Sequence, residues 1–239
     1  MFGKTIPHLV SCMCPTRGNP AFVERAIRNF VKQDYPNKEL VFVSTNPRAR
    51  LPVVERNDIH MHFIDASKMP EGRMTIGQQR NVCLELCSGE FVAVWDDDDF
   101  YAPERLSFSL GEMHKQRKNA FVLHSETLLA ATGQAYVHAS RLWENSFVAR
   151  KMDLQEVRYP NVQIAEDLKM LTAFCHKFGR PALSLRHDLY VYVQQPEGTT
   201  SSDPHHVLND TWQYNISVSE PLEPDEQHAI LTRCGAYDE

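Results

Sequence analysis

Apolar residues in the first hundred positions fall into two spacings, short unbroken runs and runs that recur every three or four residues. That alternation predicts strands joined by crossover helices. His8-Leu9-Val10-Ser11-Cys12-Met13-Cys14 reads as a buried strand, closed by Pro15-Thr16-Arg17-Gly18. Asn19 then caps a helix with Pro20 at its first position, and Phe22, Val23, Ala26, Ile27, Phe30 and Val31 keep the helical period. Glu39 to Val43 is a second strand and His60 to Ile64 a third. Thr75 to Cys87 reads as a helix stopped by Gly89, Phe91 to Trp95 as a fourth strand, and Pro103 opens the next helix. Farther on, Phe121 to His124 and Thr127 to Leu129 read as strands, with Gly133 marking a turn between the next pair. The expected class is α/β, with a mostly parallel central sheet flanked by helices and ligands at the carboxyl ends of the strands.

That pattern makes Val94-Trp95-Asp96-Asp97-Asp98-Asp99 the most informative stretch of the chain, because four adjacent carboxylates follow a strand too apolar to be an exposed edge. Crowded carboxylates raise one another's pKa unless a cation neutralises them. Short aspartates at a strand end suit a hard ion, Mn²⁺ or Mg²⁺, that takes its remaining ligands from a diphosphate and water.

Composition narrows the picture further. The chain has 239 residues, 42% of them hydrophobic, which suffices for a full core. The 25 basic and 31 acidic residues give a net charge of -6, which disfavours nucleic acid as a partner. Neither a secretory leader nor a membrane-spanning run is recognisable, so the expected location is the cytoplasm. Six cysteines without a CxxC pair read as reduced, mostly buried thiols, with zinc at Cys12 and Cys14 the remaining alternative.

Several motifs now stand in order: Gly77-Gln78-Gln79-Arg80-Asn81, the Gly89-Glu90 turn, the apolar strand with its aspartates, and Pro103. Together they resemble the family 2 glycosyltransferases of the GT-A fold. In that family a proline stands five residues after the metal-binding Asp, which implies Asp98 as metal ligand and Asp96 as the first Asp of the D-x-D motif. The resemblance implies Pro15, Thr16 and Arg17 in the nucleotide pocket, and Asp97 serving the ribose. Ile164-Ala165-Glu166-Asp167-Leu168 resembles the Glu-Asp motif, which implies Glu166 and Asp167 as the catalytic pair with Asp167 the base. An isolated acidic pair at a helix start is ordinarily a dipole feature; the upstream motifs shift the reading to catalysis.

Arg80 falls on the apolar side of its helix, where a charge wants an anion, either an aspartate or the donor phosphates. Asp65, Arg73 and Gly77 lie at the same end of the predicted sheet and are candidate nucleotide contacts. The second strand runs into Ser44-Thr45-Asn46-Pro47 where many family members carry Asp-Asp, which leaves Asn46 as the candidate there. His187 is the candidate metal-ligating histidine, with His205 and His206 as rivals.

The implied function is metal-dependent, inverting transfer of one sugar, with a UDP-sugar favoured, onto an acceptor hydroxyl. The chain lacks the Q-x-x-R-W signature of processive synthases, which favours transfer of a single sugar. Alternatives are a silent sugar-nucleotide or cation-binding protein of this fold, and a nucleotidyltransferase, although the Gly- and Lys-bearing loop usual for the latter is missing after the first strand. The expected organisation is one catalytic domain over 1–219, with a nucleotide-sugar half over 7–110 and an acceptor half over 111–219. An acidic tail with a short helix would follow over 220–239.

Overall fold

In a computed structural model, residues 7–49, 51–52, 54–69, 72–194 and 220–237 are described. The first half follows the predicted alternation: β1 (Val10–Thr16), α1 (Pro20–Lys32), β2 (Lys38–Ser44), β3 (Ile59–Phe63), α2 (Ile76–Leu86) and β4 (Phe91–Val94). Asn19 accepts a hydrogen bond from Ala21 N and Pro20 opens α1, whose inner face buries Val23, Ala26 and Phe30. Full burial of a side chain such as Phe30 stabilises by about 1.5–3 kcal/mol. Thr75 and Gln78 close a reciprocal capping box at the start of α2.

Gly89 acts differently from the expected helix stop. Cys87 caps α2 in an extended conformation, and Gly89 is needed because a Cβ there would lie 2.7 Å from both Leu9 O and Ser11 Oγ. Close approach of β1, rather than a left-handed turn, excludes a side chain.

The second half is β5 (Phe100–Tyr101), α3 (Arg105–Gln116), β6 (Ala120–Leu129), β7 (Ala135–Arg150), α4 (Lys151–Val157), α5 (Glu166–Phe178), β8 (Ala182–Ser184), β9 (Tyr190–Val193), β10 (Glu220–Pro221) and α6 (Pro224–Cys234). The two short strands expected over 121–129 are one continuous strand, β6. Gly133, at φ 85°, makes the turn into β7.

The sheet order is β3-β2-β1-β4-β7-β6-β9-β5. β3, β2, β1 and β4 are mutually parallel, whereas β7 runs antiparallel to both β4 and β6. The sheet is therefore mixed rather than purely parallel, within the expected α/β class. β6, reached through α3, runs in the direction of β4, and the hairpin at Gly133 returns β7 antiparallel between them. β4 and β1 end side by side, so Thr16 and the aspartates meet at one edge of the core.

Two apolar clusters cover the sheet, one built on Phe30, Phe42, Trp95 and Tyr101, the other on Leu84, Phe147 and Phe174. All six cysteines are free thiols; five are buried and Cys175 is half-buried. Residues 220–234 join the fold: β10 pairs with β7, and α6 buries Ile230, Leu231 and Cys234. Among the described residues no helix is long and apolar enough to cross a membrane.

Candidate active site

The aspartate loop leaves β4 and is gripped through its backbone. Tyr101 Oη donates to Asp96 O at 2.8 Å, Arg25 Nη1 to Asp98 O at 2.6 Å, and Asn29 Nδ2 to Asp99 O at 2.9 Å. Arg25 also lies 4.3 Å over the Phe100 ring, which fixes its guanidinium beneath the loop. With three carbonyls held from the α1 and β5 sides, the carboxylates of Asp96, Asp97 and Asp99 each reach a different partner.

Asp96 accepts from Arg80 Nη2 at 3.1 Å. Asp97 accepts from Thr16 Oγ1 at 2.5 Å, and the same hydroxyl accepts from Gly18 N at 2.9 Å, so the ends of β1 and β4 share one hydrogen-bond chain. Asp99, fully buried, accepts from Tyr190 Oη at 2.5 Å and from Val193 N at 2.8 Å. It ties the loop to β9.

Burial drives the electrostatics here. It pushes the Asp97 carboxyl up to about 7, with Asp98 and Asp96 adding to the shift against the Thr16 hydrogen bond. The same burial, reinforced by Asp96, raises Asp98 to about 6. Asp99 lies well above the usual carboxylate range for the same reasons. Carboxylates this strained in their ionised form fit a hard cation, whose charge would remove the repulsion. Among the described residues no three His, Cys, Asp or Glu side chains are grouped to hold a metal.

Arg80 is 8% exposed and joins the aspartate loop to the second acidic motif, donating through Nε to Glu166 at 3.1 Å. Its Nη1 is buried with no hydrogen-bond partner among the described residues. Burial works against the charge, but Asp96, Tyr159, Glu166 and Asp167 together outweigh it, so Arg80 stays protonated. Burial and the neighbouring Asp167 raise Glu166, against the pull of Arg80. Asp167 follows at the first turn of α5, half-buried, with Oδ1 accepting from Leu168 N at 2.7 Å.

Gly77 is required by contact. A Cβ there would stand 2.0 Å from Pro160 O, and the Gly77 N–H donates to Val162 O at 3.4 Å. Two polar residues of α2 were absent from the expected site. Gln79 Nε2 donates to Val43 O at 2.6 Å and to Thr16 O at 3.4 Å, binding α2 to the ends of β2 and β1. Asn81 exchanges two hydrogen bonds with the backbone of Tyr159. Their signal was polarity within a helix that buries Gly77, Gln79, Arg80, Cys83 and Leu84.

The remaining candidates are more peripheral. Pro15 is buried within β1, and Arg17 is exposed while its carbonyl accepts from Asn46 Nδ2 at 2.8 Å. Asn46 thus staples the loops after β1 and β2. Asp65 caps a short 3-10 turn, accepting from Ser67 N and Oγ at 3.1 and 2.6 Å, and Arg73 is exposed. His187 faces Thr127, 3.2 Å from its Nδ1, and Glu226, 3.7 Å from its Nε2, toward α6. His205 and His206 lie outside the described residues.

A parallel nucleotide-type half, a mixed second half and an acidic loop at the strand ends define a GT-A glycosyltransferase fold. The sequence pattern of "Glycosyl transferase family 2" matches residues 11–161, and the chain belongs to that family. It is 28% identical to the putative colanic acid biosynthesis glycosyl transferase WcaA of Escherichia coli K12, over 56% of this chain and 47% of WcaA. It is 22% identical to the putative teichuronic acid biosynthesis glycosyltransferase TuaG of Bacillus subtilis 168, over 85% of this chain and 86% of TuaG. Among solved structures, S. aureus TarS 1-349 superposes with a TM-score of 0.60 at 17% identity, covering 78% of this chain and 60% of TarS 1-349. The mannosyltransferase PcManGT of Pyrobaculum calidifontis, in complex with GDP-Man and Mn²⁺, gives 0.55 at 15% identity, covering 80% of this chain and 57% of that one. The chain spans about half the length of WcaA and about three-fifths of the crystallised TarS fragment.

Proposed function

We propose that the protein is a metal-dependent, inverting glycosyltransferase that moves one sugar from a nucleotide sugar, a UDP-sugar by preference, to an acceptor hydroxyl. One observation carries the reading: Arg80 holds Asp96 of the aspartate loop and Glu166 of the Glu-Asp pair in a single bridge, 3.1 Å on each side. Donor side and base side are thereby one unit. UDP and UDP-GlcNAc are bound in TarS structures, and GDP-Man with Mn²⁺ in PcManGT, which supports a nucleotide-sugar donor and a divalent ion.

Asp98 and Asp96 would hold Mn²⁺ or Mg²⁺, which when bound supplies Lewis-acid neutralisation of charge on the leaving diphosphate. Pro15, Thr16, Arg17, Asn46, Asp65, Arg73 and Gly77 border the nucleotide pocket, and Asp97, oriented by Thr16, faces the ribose. Arg80 keeps a positive charge beside the diphosphate. Asp167 takes the proton from the acceptor hydroxyl as its oxygen bonds to the anomeric carbon from the face opposite the leaving group. The carbon–oxygen bond to the diphosphate breaks, the nucleoside diphosphate leaves with the electron pair, and configuration inverts. Glu166 stays buried against Arg80 and holds the helix start in place.

The test is a panel of nucleotide sugars with Mn²⁺, scored by release of nucleoside diphosphate with and without hydroxyl acceptors, and by the anomeric configuration of the product. Turnover that needs Mn²⁺ or Mg²⁺ and yields inverted product is expected. Binding of a nucleotide sugar without hydrolysis or transfer to any acceptor would instead make this a silent sugar-nucleotide-binding protein.

A further inference from the structure

Residues 158–165 cross the first turns of α2 before entering α5, and both ends of the crossing are non-glycine residues with positive φ. Arg158 stands at φ 61° and ψ 161°, Ala165 at φ 57° and ψ 29°. A Cβ disfavours both conformations, and such residues persist where surrounding contacts over-determine them. Consecutive residues of α2 supply contacts of that kind. Asn81 holds the entry, donating through Nδ2 to Tyr159 O at 2.8 Å and accepting from Tyr159 N at 3.0 Å. Arg80 holds the exit through Glu166. Between them Pro160 O rests on Gly77, where any side chain would collide with it.

The left-handed turn at Ala165 decides where the acidic pair goes. It sends Glu166 inward to Arg80 and leaves Asp167 half-buried at the first turn of α5. An extended or right-handed residue at 165 would redirect both carboxylates.

We propose that Asn81 and Ala165 are positioning residues that aim Asp167 at the acceptor through the clasped 158–165 crossing, while donor binding depends on other elements. The proposal rests on the transferase reading above, with Asp167 as base. Misplacement of a catalytic group by about 1 Å can cost on the order of 100-fold in rate. Asn81→Ala, which leaves the Tyr159 backbone unheld, and Ala165→Val, whose branched side chain resists left-handed backbone, should therefore lower kcat for transfer by about that factor. The KM for the nucleotide sugar should stay within about threefold of wild type, because the loss lies in the transition state rather than in binding. Ala165→Gly is the conservative comparator, and its kcat is expected about tenfold or more above that of Ala165→Val, since glycine reaches the left-handed region freely.

A second readout needs no turnover. Amide hydrogen exchange should quicken over residues 159–167 in Asn81→Ala and stay unchanged over 96–99. Wild-type protein that binds donor and transfers nothing would overturn the functional reading, and the exchange pattern then still decides the clasp. Unchanged exchange over 159–167, kcat within twofold of wild type in both variants, or a rise in donor KM without loss of kcat would each overturn the proposal.

Discussion

Arg80 on α2 donates to Asp96 and to Glu166 at 3.1 Å each, so one buried guanidinium couples the strand-end aspartates to a carboxylate 86 positions from it in sequence. Removing one member of such a buried set leaves the others uncompensated, at a cost of about 3–5 kcal/mol. Arg80→Met should lose that much stability in urea denaturation. Arg80→Met combined with Glu166→Gln should recover part of it, because the buried negative charge is then gone. Equal stability of the single and double variants would show that the bridge is not the source of the loss.

The cation should stabilise the fold through the aspartate loop. At a concentration 100 times its dissociation constant, an ion bound only by the native state adds about 2.7 kcal/mol, or about 5–10 °C in Tm for a chain of this size. Mn²⁺ with UDP is expected to give such a shift in wild type and little in Asp98→Ala. The same variant, or wild type in EDTA, should lose transfer.

The pH dependence of that shift follows from the signs. Asp97 and Asp98 are raised to about 7 and 6, so below pH 4 both folded and unfolded chains hold these protons. Between about pH 4 and pH 7 the folded state keeps protons that the unfolded chain has lost, so metal-free stability falls across that window and levels off above it. The cation competes with those protons, so Mn²⁺ should raise Tm more at pH 7.5 than at pH 5.5. A larger shift at pH 5.5 would contradict the assignment.

Asp167→Asn removes the base while keeping the size of the side chain. Retained donor affinity by calorimetry, with transfer reduced about 100-fold or more, is expected. Undiminished turnover would remove Asp167 from the reaction.

At the far end of the site, α6 is anchored by charge. Arg233 and Arg186 both reach Asp188, and both approach Glu104 at 3.4 Å. Burial acts against ionisation of Asp188, yet the two arginines hold its carboxyl down to about 2. A depressed carboxyl contributes stability above its unfolded pKa near 4 that is lost as pH falls toward 2. Arg233→Ala should lower Tm by about 2–4 °C at pH 7, the equivalent of about 1 kcal/mol for a partly exposed network. The difference from wild type should shrink below pH 3.

The periodicity of the chain determined much of the first half. Asn19-Pro20 starts α1, the Thr75–Gln78 box starts α2, and the strands from β1 to β4 lie within two residues of their predicted bounds, because local capping and burial decide these elements. Breaks in the apolar pattern also singled out Arg80 on its helix face and Asp96 to Asp99 at a strand end, while Thr16 came from the resemblance to the family. The antiparallel β7, the Gly89 contact with β1, and the roles of Gln79 and Asn81 depended on which backbones come to lie against one another, and no local pattern encodes that. Tertiary packing alone decided that Arg80 would pair with Glu166 as well as Asp96, and that Ala165 would adopt a left-handed turn. Both are set by long-range contacts strong enough to outweigh the cost of a buried charge and a strained backbone.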